Sequence, residues 1–275
     1  MLKNKTNPVW FRVVILWSGL NMLVSASLGS IWLLDWTNRP FDLLATVLHE
    51  LGHALACILT GGQVIEIGLG NYGEGVTRCL GGARFIYGQA GYLAVPLVSA
   101  LVLRVLRRGA DARLLLVTMG VLVGLTELCF FKDRVSNSWG SLLAAALVFT
   151  GLRCGPDTGR LVVKLVVVEL LVNCAEDFVV LARYATGLFG SHVTDAAVLA
   201  EMTGLPAGFY CALWILLSLA ILAVVPGALT PARHKARAPG LPAEPLLVAW
   251  RDRRPAAAAV PAADTGDEDK GCLAA

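Results

Sequence analysis

His49, Glu50 and His53 stand as His-Glu-Leu-Gly-His inside an otherwise apolar run from Phe41 to Leu59. On a helix, positions four apart lie on one face. Both imidazoles can therefore reach one metal ion at the distance of about 2.0 to 2.1 Å that zinc takes to nitrogen. Glu50 lies about 100° round the helix from His49 and points toward the coordination position that the histidines leave open. A carboxylate placed there is a general base for zinc-activated water attacking a carbonyl. An ionisable group at the centre of a membrane span costs about 2.5 to 3.5 kcal/mol on insertion scales, so such groups mark function by default.

Two histidines do not complete a catalytic zinc site, which takes three protein ligands and keeps one position for water or substrate. Asp177 is the first expectation for the third ligand, because it stands in an apolar segment as part of Asn173-Cys174-Ala175-Glu176-Asp177-Phe178, with Glu176 as its neighbour and competitor. Asp195, in Ser191-His192-Val193-Thr194-Asp195-Ala196, is the alternative, and His192 a weaker one. Glu127 and Glu169 read as carboxylates paired near helix ends, the latter close to Arg160 and Lys164. Gly88 and Gly91 read as packing residues that let helices approach closely.

The elements that must position these residues are membrane helices. Of the 275 residues, 56% are hydrophobic and only 16% charged, against about 25% charged in soluble domains. About 20 apolar residues cross the hydrocarbon core. By that measure the segments near 11–34, 41–60, 87–103, 113–131, 140–152, 161–182 and 206–228 predict six to seven transmembrane helices, the fifth of them short. The fold class expected is an all-α polytopic membrane protein. Between the second and third segments, Gly61 to Gln89 mixes glycines with Val64, Ile65, Ile67 and Val76, a pattern of short strands and turns. It predicts a small β-hairpin beside the His-Glu-x-x-His helix, whose free edge could pair with an extended substrate segment.

Three regions follow: an N-terminal transmembrane helix in 1–40, a membrane-embedded core in 41–230, and a tail in 231–275 rich in Ala, Pro and charge that reads as disordered. Basic clusters such as Arg104, Arg107, Arg108 and Arg113 mark cytoplasmic loops, and Arg233, Lys235 and Arg237 place the C-terminus in the cytoplasm by the same rule. The apolar segments make the lipid bilayer the expected partner. No basic patch interleaved with aromatic residues is present, which sets nucleic acid aside. The seven cysteines form no Cys-x-x-Cys pair and read as small buried hydrophobes.

At this point the chain resembles the site-2 protease family of intramembrane zinc metallopeptidases. The resemblance rests on HELGHALACILTGG (His49 to Gly62), the Gly-rich hairpin, and QAGYL (Gln89 to Leu93) opening the next helix. A bacterial branch is similar in the pattern from Asn173 to Asp177, in Thr194 to Ala207, and at Trp214, although no Leu-Asp-Gly surrounds either candidate aspartate. The resemblance implies a zinc endopeptidase of the bacterial plasma membrane that cuts a membrane protein or transmembrane peptide as its substrate, with His49, His53 and a distant aspartate, carried over to Asp177, as Zn2+ ligands and Glu50 as the base. The alternative is a membrane protein that keeps zinc for structure or metal sensing and cuts nothing.

Overall fold

The computed structural model describes residues 32–70, 74–185 and 193–225. The expected N-terminal helix near 11–34 lies almost wholly outside these residues, and the C-terminal tail and His192 lie entirely outside them.

Seven helices and one hairpin follow in the order α1 (Trp32–Leu59), β1 (Gln63–Leu69), β2 (Gly75–Leu80), α2 (Arg84–Arg107), α3 (Ala112–Phe130), α4 (Arg134–Arg153), α5 (Pro156–Ala185), α6 (Asp195–Thr203) and α7 (Ala207–Val224). The fold class is the one expected: a helical membrane protein with one small hairpin between its second and third hydrophobic segments. Five helices, α1 from Asn38 on, α2, α3, α4 and α7, are long and apolar enough to cross a bilayer. They turn Leu101, Leu114, Leu125, Phe149 and Leu219 outward, where lipid rather than water satisfies them. The segment expected to be short, near 140–152, is a full helix of 20 residues. Asp133 caps its start, its carboxylate accepting from Ser136 N at 2.8 Å, so the polar stretch that follows is helical although hydropathy excludes it. α5 runs for 30 residues and carries Lys164, Glu169, Glu176 and Asp177, too many charges for a plain lipid-facing span.

Lipid offers helices no hydrophobic force toward one another, so their seams rest on small residues and close backbone approach. Gly52 of α1 is such a point: a methyl group there would lie 2.6 Å from Ala94 Cβ and 2.8 Å from the Ala90 carbonyl of α2. Gly120 and Gly151 do the same for α3 and α4, each facing the other helix's backbone. Leu44, Val47, Leu116, Val163, Leu170 and Trp214 are fully enclosed at the centre.

The hairpin is antiparallel, with Val64 opposite Cys79 and Ile67 opposite Thr77, and with a bulge between Val64 and Glu66. Glu66 pairs across it with Arg78 at 2.8 Å. β1 is fastened to the helical body: Ile67 forms a bridge with Phe131, and Leu69 N donates to the Ser136 hydroxyl at 2.7 Å. β2 packs against α1, and no strand among the described residues pairs with its outer edge.

Candidate metal centre

The periodicity of α1 brings His49 and His53 together as expected. Their Nε2 atoms are 2.9 Å apart. His53 is fixed by its other nitrogen, since Nδ1 lies 2.6 Å from the Tyr87 carbonyl. A carbonyl only accepts, so His53 carries a proton on Nδ1, which fixes the ring with its Nε2 turned toward His49 and Asp195.

The third member of the group is Asp195. Its Oδ2 lies 3.4 Å from His49 Nε2 and 3.3 Å from His53 Nε2. Ligands of a tetrahedral ion at bond lengths of 2.0 to 2.1 Å stand about 3.3 to 3.4 Å apart, so both edges to Asp195 match. The three donors lie within 4.8 Å of one another and form a group able to hold a metal ion. Asp195 is held there by a short, well-capped helix. Thr194 accepts from Ala197 N at 3.2 Å, and Gly204 ends α6 with a positive φ of 76°. Being the first residue of α6, Asp195 also sits where the helix dipole favours an anion. Burial pushes its carboxyl up, but the hydrogen bonds and charge of His49 and His53 outweigh that and hold it below the ordinary carboxylate range.

Asp177, the first expectation, is not in the trio. It projects from α5 with an exposed side chain, near enough for His49 to act on its charge but outside the converging donors. Glu176 is likewise absent from the group. The difference has a physical reason. Asp177 was favoured because a carboxylate inside an apolar segment needs an explanation, whereas Asp195 sits in a segment too short to span. The structure folds that segment back as α6, and Leu199 seats it against Gly88 of α2 at 3.3 Å from where a Cβ would stand.

Glu50 is 5% exposed and is gripped from the other side by β2. The Thr77 hydroxyl lies 2.7 Å from Glu50 Oε2 and 3.0 Å from its backbone carbonyl, so its single proton can be donated to either. A Cβ on Gly75 would fall 2.4 Å from Glu50 Oε1, which is why the strand needs glycine there. The hairpin therefore does more than lie nearby: it sets the orientation of the carboxylate.

Two residues escaped the reading of the sequence. Thr77 carried no signal beyond its place in a glycine-rich strand. Gly91 was read as packing, yet a Cβ there would lie 2.4 Å from His53 Nε2 and 2.5 Å from His49 Nε2. It is a bare patch of α2 against which the two imidazole nitrogens rest. Its signal was in the QAGYL block, where a glycine recurs beside the two histidines only once the helices are paired.

No curated protein and no solved structure matches the chain. The description Peptidase M50B-like belongs to a family whose model matches residues 13–225, a stretch that includes every residue of the site just described. The chain therefore belongs to the Peptidase M50B-like family, within the site-2 proteases, and is an integral membrane protein of a protease family.

Proposed function

We propose that this protein is an intramembrane zinc endopeptidase that hydrolyses peptide bonds of membrane-embedded substrates, with His49, His53 and Asp195 as the metal ligands and Glu50 as the general base. The observation that carries the reading is the convergence of two imidazole nitrogens and one carboxylate oxygen on a point that Gly91 leaves free of side chain. Three protein ligands and one open position are the donor set of a catalytic zinc site, whereas structural sites close all four positions. Zinc held there supplies Lewis acidity, polarising the scissile carbonyl and making a water acidic enough to attack it.

The rest of the chemistry belongs to the chain. Glu50 takes the proton of the attacking water on a carboxylate oxygen and passes it to the departing amide nitrogen. Thr77 holds the other carboxylate oxygen, so Glu50 keeps one orientation throughout. The outer edge of β2 offers backbone groups to an extended segment, and a substrate helix unwound along it would present its peptide bonds beside Glu50. The outward apolar belt keeps the protein in lipid. We assign it to a bacterial plasma membrane on its similarity to a bacterial branch of the family, and place the C-terminal segment in the cytoplasm on the basic clusters Arg104 to Arg113 and Arg233 to Arg237. A purely structural metal site has no use for a buried carboxylate oriented by a separate strand.

The test is cleavage of a transmembrane peptide co-reconstituted with the protein in bicelles. A zinc chelator should stop cleavage and added zinc should restore it, while an excess of a short strand-forming peptide should slow it by occupying the β2 edge. Cleavage indifferent to the chelator would remove the metallopeptidase reading.

A further inference from the structure

The two histidines are steadied by different means. His53 is oriented by a hydrogen bond from Nδ1 to the Tyr87 carbonyl, the usual way of fixing a ligand imidazole. The imidazole of His49 is met instead by a ring. Tyr92, one residue beyond Gly91 on α2, stands at right angles to it, with centroids 4.7 Å apart and planes at 82°.

Tyr92 is itself clamped. Trp214 of α7 stacks on it at 4.4 Å with the planes 9° apart, and Phe178 of α5 lies against it at 5.7 Å and 24°. Edge-to-face and offset-stacked rings both have preferred geometries, so a ring held by two nearly parallel neighbours has little freedom to rotate. The clamp is anchored in turn. The Cys211 thiol of α7 lies 3.7 Å from the Phe178 carbonyl. The Tyr210 hydroxyl of α7 lies 2.7 Å from Thr203 Oγ1, at the far end of the helix that begins with Asp195. One face of α7 thus braces His49 through rings and braces α6, the carrier of Asp195, through a hydroxyl pair.

Trp214 shows what this face selects for. It is wholly buried, and its Nε1 finds no hydrogen-bond partner among the described residues. What Trp214 gives its described neighbours is its ring, stacked on Tyr92.

We propose that Tyr92 is a positioning residue for His49, and that the stack of Phe178, Tyr92 and Trp214 fixes the plane of that imidazole from α5 and α7. The proposal rests on the assignment of His49 as a metal ligand. It predicts that metal affinity depends on rings that touch neither the metal nor the substrate, and that the ring matters rather than the hydroxyl or the indole N–H.

The experiment measures zinc affinity of the full-length protein in detergent against a chromophoric chelator, together with the visible absorption of the cobalt-substituted form, which reports ligand geometry. Tyr92→Phe and Trp214→Phe should bind as the wild type does. Tyr92→Leu and Trp214→Leu should lose about 10- to 100-fold, the range typical of residues that orient metal ligands, with an altered cobalt spectrum. If Tyr92→Leu loses its helical signal, Trp214→Leu against Trp214→Phe decides the matter. Wild-type affinity and an unchanged cobalt spectrum in both leucine variants would overturn the positioning role while leaving the metal site intact. Equal damage in Tyr92→Phe and Tyr92→Leu would overturn it in favour of the hydroxyl. A wild type that binds neither metal would bring down the ligand assignment itself, and this proposal with it.

Discussion

Glu50→Gln is expected to abolish peptide cleavage while leaving zinc in place. The amide is nearly isosteric with the carboxylate, and its carbonyl oxygen can still accept from Thr77, whose hydroxyl now lies 2.7 Å from Oε2. Packing between α1 and β2 should therefore survive. What disappears is the capacity to take a proton. General bases contribute about 10²- to 10⁴-fold to rate, so the turnover number should fall by that order, with zinc content and thermal midpoint unchanged. A variant that cleaves at the wild-type rate would show that Glu50 is not the base. A variant that loses its zinc would show that the residue serves the site's structure.

Gly91→Val is the second change expected to have a large effect, and it acts by occupying space. Even an alanine Cβ at this position would lie 2.4 Å from His53 Nε2 and 2.5 Å from His49 Nε2. The imidazoles cannot simply swing aside, because His53 is tied to the Tyr87 carbonyl at 2.6 Å and His49 abuts Tyr92. Either the ligand nitrogens separate or α2 moves off α1, and the Gly52 contact with Ala90 and Ala94 leaves no slack for the helices to slide. Zinc affinity should drop by about 100-fold or more, beyond the usual effect of a residue that merely orients a ligand, and cleavage should go with it. Gly124→Ala is the control, since its Cβ would meet only Ala144 at an ordinary 3.8 Å. Equal zinc affinity in Gly91→Val and the wild type would mean that the metal does not sit between these helices.

Much of this was legible before any coordinates. The helix from Phe41 to Leu59 follows from its apolar run, and the spacing of His49 and His53 is a property of any α-helix, so the pair was bound to share a face. Glycine density located the hairpin, because few other residues tolerate its turns. Elsewhere hydropathy misled for identifiable reasons. α4 begins with the mostly polar stretch Arg134 to Ser138, which a hydropathy window discards, although Asp133 caps it into the helix. α5 is helical throughout but buries Glu169 and half-buries Glu176 among its neighbours, so its length rather than its apolarity is the reliable guide.

The third member of the donor group was the hardest part to read. Asp177 and Asp195 are 18 residues apart in the chain, and which of them meets the histidines depends on how α6 folds back, a tertiary fact with only a faint local trace. That trace is the pairing of a Thr194 cap with Gly204 at the far end, enough to read a short helix but not its docking onto Gly88. The part played by Thr77, and by Gly91 beyond packing, could not be read for a related reason. Each matters only because a second element approaches it, and neither has a side-chain chemistry that announces a site.

The account's central claim is a single metal held by His49, His53 and Asp195, and elemental analysis of zinc in detergent-purified protein tests it most directly. The wild type should carry one zinc per chain, His49→Ala and Asp195→Ala should carry almost none, and Asp177→Ala should keep its zinc. Zinc lost with Asp177 and retained without Asp195, or no zinc in the wild type even after resupply, would contradict it.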